Sequence, residues 1–189
     1  MSNLTELLAN PDPNDSKASE ELAKAVYEEL RIIARSKMAK ERPGHTLQPT
    51  ILVNDAWLKL FPLGKKVEFK SSAHFFGTAA RVMRNLLVDH ARKRLATKRG
   101  GKLHKTNFST EQFDGIQHTA SDELVEAVDE VLKEIFEKDK TTAALVELRF
   151  FVGLTEEEVA DVMGISVSSV QRLYKKFKKD FKDKFKGLI

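Results

Sequence analysis

Seven polar or basic side chains, Ser166, Ser168, Ser169, Gln171, Arg172, Lys175 and Lys176, fall within eleven residues near the C-terminal end of the sequence. Hydroxyls and amides at the start of a helix suit base edges and phosphates, whereas lysines further along suit phosphates alone and position without selecting sequence. The segment around them, TEEEVADVMGISVSSVQRL from Thr155 to Leu173, has the spacing of two short helices around a tight turn. Thr155 and Glu158 form a capping box that starts a helix at Glu156, with Val159, Ala160 and Met163 facing inward. Gly164 supplies the permissive turn, Ser166 caps the second helix, and Val170, Leu173 and Tyr174 form its buried face. This is the helix-turn-helix template, whose second helix enters the DNA major groove. An ordinary helical hairpin with the same caps is the alternative, and the polar outer face favours DNA.

Charge is distributed to match. Formal net charge is only +4, yet no acid occurs between His90 and Thr110 while Arg92, Lys93, Arg94, Lys98, Arg99, Lys102 and Lys105 are basic. A second basic run extends from Arg172 to Lys186, and between the two lies Asp122 to Asp139, with eight acids against Lys133 and Lys138. Basic patches flanking an acidic helix fit a polyanion-binding layout. Catalytic chemistry has no comparable support. Histidines 45, 74, 90, 104 and 118 show no metal-ligand spacing, there is no glycine-rich phosphate loop, and Glu156, Glu157 and Glu158 have sufficient use at a helix N-terminus. Zero cysteine excludes disulfides and thiolate zinc sites and suits a reducing cytoplasm. No run approaches the roughly 20 apolar residues of a membrane span. No enzyme activity, cofactor, metal or membrane partner is expected.

The elements that must position these side chains are helical. Ser19 to Lys40 places Leu22, Val26, Leu30, Ile33 and Ala34 on one face, and Pro43-Gly44 lies beyond its end. A second helix is expected from Thr50 to Phe61 and a third from Ala73 to about Lys98, the latter with Phe76, Ala79, Ala80, Met83, Leu87 and Ala91 at helical spacing. Ser121-Asp122-Glu123-Leu124 opens a further helix with acids in its first turn. The fold expected is all-α: a tail over 1–18, a helical domain over 19–99, a flexible linker over 100–120 and a second helical domain with the helix-turn-helix over 121–189.

The N-terminal half narrows the function. Leu52 to Leu60 (LVNDAWLKL), Phe69 to Phe76 (FKSSAHFF) and Ala80 to Arg94 (ARVMRNLLVDHARKR) resemble the second conserved region of extracytoplasmic-function (ECF) sigma factors, and Leu145 to Phe181 resembles their fourth. The resemblance covers about Leu22 to Phe181, and Arg42 to Thr50 (RPGHTLQPT) suggests a subgroup. It implies a non-enzymatic subunit that binds core RNA polymerase and directs it to promoter DNA. By the same resemblance, Asn54, Asp55, Leu58 and Lys59 dock on the polymerase. Phe69, Lys70, Ser71, Ser72, Phe75 and Phe76 receive the unstacked strand, Arg81, Asn85 and Asp89 fall where the minus-ten element is read, and Arg92 and Lys93 hold phosphates. The C-terminal helix from Ser166 reads the minus-thirty-five element. Thr78 stands where many members carry tryptophan, and Gln171 where a basic residue is common.

Other readings stay beside these. Phe75 and Phe76 are adjacent, so at most one is expected to point fully into the core. Asn85 could instead cap or bridge helices, and Trp57 is expected in the core. The stretch Ile51 to Asp55 offers only Asp55 as an acid for a basic polymerase surface. A phosphate on Thr50 would add negative charge at the helix start, which makes a serine/threonine kinase or an anti-sigma factor a candidate regulatory partner. The simpler reading has Thr50 as that helix's N-cap. The rival function is a stand-alone helix-turn-helix regulator that binds duplex DNA without polymerase.

Overall fold

A computed structural model describes residues 16–38, 49–62, 69, 71–99 and 121–185, and all regular structure among them is helical. Lys70, the stretch 42–48, the linker 100–120 and most of the N-terminal tail lie outside the described residues. The N-terminal half contains α1 (Ser16–Met38), α2 (Pro49–Leu60) and α3 (Ser72–Arg99). The C-terminal half contains α4 (Asp122–Lys138), α5 (Lys140–Val146), a π-helical segment over Glu147–Val152, α6 (Glu156–Met163) and α7 (Val167–Lys184).

Helix α1 begins at Ser16 rather than Ser19, and buries Val26, Leu30, Ile33 and Ala34 against α2. Helix α2 begins at Pro49, so Thr50 is its second helical residue and not the N-cap. Proline has its φ preset and lacks an N–H that the first turn would leave unpaired, which suits it to the first helical position. Leu52, Val53, Ala56 and Leu60 form the buried face of α2, and Phe75, Phe76, Ala79, Ala80 and Met83 meet that core from α3.

Phe75 and Phe76 are both fully buried, which corrects the expectation that only one could be. Successive helical side chains diverge by about 100°, so two neighbours are covered only where the helix start is enclosed over a wide arc. Here an aromatic chain encloses it, running Tyr27, Trp57, Phe61, Phe69, Phe75, Phe76 with ring centroids 4.4 to 5.9 Å apart. Trp57 is half-buried within that chain and packs on the core.

In the C-terminal half, caps set the boundaries. Ser121 accepts from the Leu124 amide at 3.2 Å and starts α4. Asp139 closes α4 through its own N–H and opens α5 by accepting from the Thr142 amide (2.9 Å) and hydroxyl (2.7 Å). The π-helical segment ends at Gly153, in left-handed conformation, whose amide donates to Leu148 O. Arg149 is held there by a hydrogen bond to Leu154 O and by the Tyr174 ring 5.1 Å away. Leu124, Val128, Leu132, Leu145, Phe151, Val159, Val170, Phe177 and Phe181 fill the core between these helices.

The two halves touch. Helix α3 packs against α4 and against the π-helical segment, and one continuous cluster of buried apolar residues runs through both halves. Leu86 and Val88 of α3 are buried as well, beside the stripe from Phe76 to Ala91 that helical spacing alone picks out.

Candidate functional site

Helix α7 separates a buried inner face from an exposed outer one. Val170, Tyr174, Phe177 and Phe181 are buried at spacings of three and four, fixing the helix on its hydrophobic side. The turn before it is tightly specified. Thr155 and Glu158 make both halves of the capping box, at 3.1 and 2.8 Å, and Gly164 ends α6 at φ 65°. The Ser166 hydroxyl accepts from the Ser169 amide at 3.2 Å, so this side chain is occupied as the cap. Ser168 and Ser169 hydroxyls lie 3.0 and 2.9 Å from Ser166 Oγ, and that turn inward leaves Ser169 only half-exposed. Gln171 is exposed and donates to Glu156 Oε2 at 2.7 Å across the turn. Arg172 and Lys175 are exposed with no carboxylate partner among the described residues, while Lys176 reaches Asp139 at 3.8 Å.

Helix α3 carries the second group. Ser71 caps it, accepting from the His74 amide at 3.1 Å, and the Thr78 hydroxyl donates back to His74 O at 2.8 Å. Phe69, Phe75 and Phe76 are buried, so the surface at the helix start is made by Ser71, Ala73, His74 and Gly77, with Ser72 half-buried. One turn apart along the helix, Arg81, Asn85 and Asp89 are exposed on one face, followed by Arg92 and Lys93. That face forms one wall of a cleft of about 590 Å³, into which Lys59 of α2 also projects. Asp129, Lys133, Phe136 and Glu137 of α4, with Glu147, form the other.

The third group lies on α2. Asn54, Leu58 and Lys59 are exposed and Asp55 is half-buried; the Tyr27 hydroxyl donates to Asn54 Oδ1 at 3.3 Å. Ile51, two turns before Leu58 on the same outer face, is 43% exposed and Leu58 56%. The exposure of Ile51 was readable from its i, i+7 relation to Leu58 on one helix face.

Sequence reasoning missed the ion pairs across the cleft. Arg84 donates to Asp129 Oδ1 at 2.9 Å and to Glu147 Oε1 at 2.6 Å, with all three side chains nearly buried. Arg92 reaches Asp129 Oδ2 at 2.8 Å and Glu126 at 3.6 Å, and Arg94 reaches Asp122 at 3.0 Å. Burial opposes ionisation of Asp129, but the hydrogen bonds from Lys133 and Arg84 outweigh it and hold its pKa below the ordinary aspartate value. The partners of Arg84 are 45 and 63 residues away in sequence, beyond any local pattern.

Among the described residues no group of three or more histidine, aspartate or glutamate side chains is placed to hold a metal ion, and no helix is long and apolar enough to cross a membrane. No curated protein and no solved structure matches the chain. A family model described as ECF sigma factor matches residues 1–186, nearly the whole chain, and the chain belongs to that family.

Proposed function

We propose that this chain binds core RNA polymerase through α2, reads the minus-ten element through α3 and the minus-thirty-five element through α7, and assists strand opening. Family membership gives the coarser statement, a sigma factor acting in transcription initiation with polymerase core and promoter DNA as partners rather than an enzyme. The observation that carries the finer reading is the two-sidedness of α7: four buried apolar anchors fix one face and leave Arg172 and Lys175 uncompensated on the other. A guanidinium in that position can make a bidentate contact to guanine, and the lysines can bind phosphates. On α2, Ile51 and Leu58 supply apolar contact, with Asn54, Asp55 and Lys59 as its polar rim. On α3, Arg81, Asn85, Asp89, Arg92 and Lys93 supply polar and cationic groups to a single strand. The proposed organisation is a domain over 19–99 and one over 121–189 joined by the linker 100–120, acting in the cytoplasm.

Thr50 is exposed in the first turn of α2, where a phosphate would be favoured by the helix dipole and would add the acidity that Asp55 alone provides. A serine/threonine kinase is therefore a candidate regulator of polymerase docking, with an anti-sigma factor as the alternative. Core-polymerase affinity of wild type, Thr50→Glu and kinase-treated protein decides this point.

The function itself is tested by run-off transcription with purified core polymerase on a genomic fragment library. Promoter-specific transcripts dependent on the chain are expected. Absence of both a complex with core and any transcript overturns the reading.

A further inference from the structure

The cleft between α3 and α4 closes on arginines that the chain's own carboxylates already occupy. The pairs run in antiparallel order: Arg94 with Asp122, Arg92 with Glu126 and Asp129, Arg84 with Asp129 and Glu147. Asp122, Glu126 and Asp129 follow one another at spacings of four and three, which keeps them on one face of α4. Asp129 also receives Lys133 of its own helix at 3.0 Å, and Arg84 Nη2 donates to Asp129 O at 3.4 Å. The arrangement is deepest at Arg84, whose side chain is 11% exposed between partners exposed by 6% and 7%. Beside it on α3, Arg81 and Lys93 are exposed and have no carboxylate partner among the described residues.

A guanidinium fork matches a phosphate as well as a carboxylate, so the two anions compete for the donors of these arginines, most completely at the nearly buried Arg84. We propose that the acidic face of α4, together with Glu147, is an intramolecular stand-in for nucleic acid that occupies Arg84, Arg92 and Arg94 and keeps the free chain closed over α3. DNA first meets the unpaired Arg81 and Lys93, and backbone phosphates then replace the carboxylates as α4 withdraws. This rests on the reading of α3 as a nucleic-acid-binding helix. Its physical basis is the asymmetry of buried ion pairs: a closed cleft with Arg84 paired is tolerated, whereas one with Arg84 buried and unpaired is strongly disfavoured. Neutralising Asp129 and Glu147 therefore opens the chain.

The absence of cysteine in the sequence allows unique fluorophore labelling at Ala73→Cys on α3 and Glu157→Cys on α6, both exposed. Energy transfer between the dyes reads opening, and anisotropy of fluorescein-labelled single-stranded and duplex oligonucleotides reads DNA binding. The Asp129→Asn/Glu147→Gln variant is expected to lose transfer and to bind DNA about tenfold more tightly than the charge-matched control Glu21→Gln/Asp161→Asn, since freed arginines add phosphate contacts. Asp122→Asn/Glu126→Gln, which retains the buried pairs, is expected to shift both readouts in the same direction by a smaller factor, and serves if the first variant loses its helical circular dichroism. Unchanged transfer in both variants overturns closure by these pairs. Loss of transfer with affinity equal to the charge-matched control overturns the exchange of carboxylate for phosphate. Arg81→Ala/Lys93→Ala tests the underlying reading separately: it should weaken DNA binding without changing transfer, and unaltered binding in closed and opened chains alike would mean that α3 does not bind DNA.

Discussion

Replacing Phe75 or Phe76 by alanine separates a structural role from a strand-stacking one. Each ring is 0% exposed, and Phe75 lies 5.1 Å from both Phe69 and Phe76 in edge-on geometry. Truncating a buried phenylalanine costs roughly 3–5 kcal/mol, the upper part applying where edge-to-face partners are lost as well. Against a total stability on the order of 5–15 kcal/mol, either variant loses a large fraction of its folding free energy. For a chain of this size that corresponds to a fall in Tm of about 6–20 °C. Leucine keeps most of the volume and discards the ring, so Phe75→Leu and Phe76→Leu should cost only about 1–1.5 kcal/mol. Urea unfolding followed by circular dichroism measures both series, and binding of a single-stranded oligonucleotide by the leucine variants is measured beside it. If an alanine variant loses less than about 1 kcal/mol while its leucine counterpart loses oligonucleotide binding, the ring is spent on nucleic acid and its assignment to the core is wrong.

Gly164→Ala adds a methyl that meets nothing within 4 Å, so its cost is the left-handed backbone alone, about 1–2 kcal/mol, readable as a lowered urea midpoint with an unchanged slope. Gly77, inside α3, also has open space around the missing Cβ, and Gly77→Ala should stabilise the fold by roughly 0.5–1 kcal/mol in the same assay. Asp129 and Asp139 are both held below the 3.8 of an ordinary aspartate, Asp139 chiefly by the Thr142 amide, so near and below that value the unfolded chain binds more protons than the folded one. Their stabilisation is complete above that value and lost as pH falls through the lowered folded values; denaturant melts from pH 7 down to 3 should show the loss, with a shallower slope in Asp139→Asn. Arg172→Ala should reduce promoter discrimination by about 1–3 kcal/mol, whereas Lys179→Ala should weaken all sequences alike and lessen the salt dependence, as read by footprinting with polymerase holoenzyme at two salt concentrations.

What the sequence disclosed and what it withheld divide by the range of the interaction. The starts of α4, α6 and α7 follow from Ser121, Thr155 with Glu158, and Ser166, because a cap is made within three residues of itself and its donor count is fixed by helix geometry. The buried stripe of α1 was legible for the same reason, and that of α7 in part: Val170 and Tyr174 are buried as expected, Leu173 is half-buried, and Phe177 and Phe181 continue the stripe beyond the residues the spacing picked out. Helix α3 was not fully legible because it is covered on two flanks. A periodicity that looks for one stripe finds Phe76, Ala79, Ala80, Met83, Leu87 and Ala91, of which Leu87 is only half-buried, and passes over Leu86 and Val88, which are buried. The π-helical segment carries no composition signal either, since ELRFFV reads as a short apolar run with two charges.

The site shows the same division with a sharper consequence. Arg92 was assigned to phosphate because it opens a basic run, and Asp122 to Asp139 was set apart as an acidic helix separating two basic patches. Neither assignment contains the pairing of Arg92 with Asp129 at 2.8 Å. A free, exposed arginine can hold a phosphate at the cost of some side-chain entropy alone, but one already paired must give up a carboxylate first. On the proposed reading of α3 as a DNA-binding helix, competing anions, more than the number of basic residues, set how strongly it holds DNA. On this basis Arg81, exposed and without a carboxylate partner among the described residues, should contribute more to the first encounter with DNA than the nearly buried Arg84 three residues along the same helix. Association rates of Arg81→Ala and Arg84→Lys, measured by stopped-flow anisotropy with a labelled oligonucleotide, test the order. Arg81→Ala should slow association and steepen no barrier to closure, while Arg84→Lys, which keeps the charge but loses the two-carboxylate fork, should leave the encounter rate near wild type and alter the slower phase that follows. Equal slowing of the first phase by both would show that α4 does not stand between Arg84 and DNA.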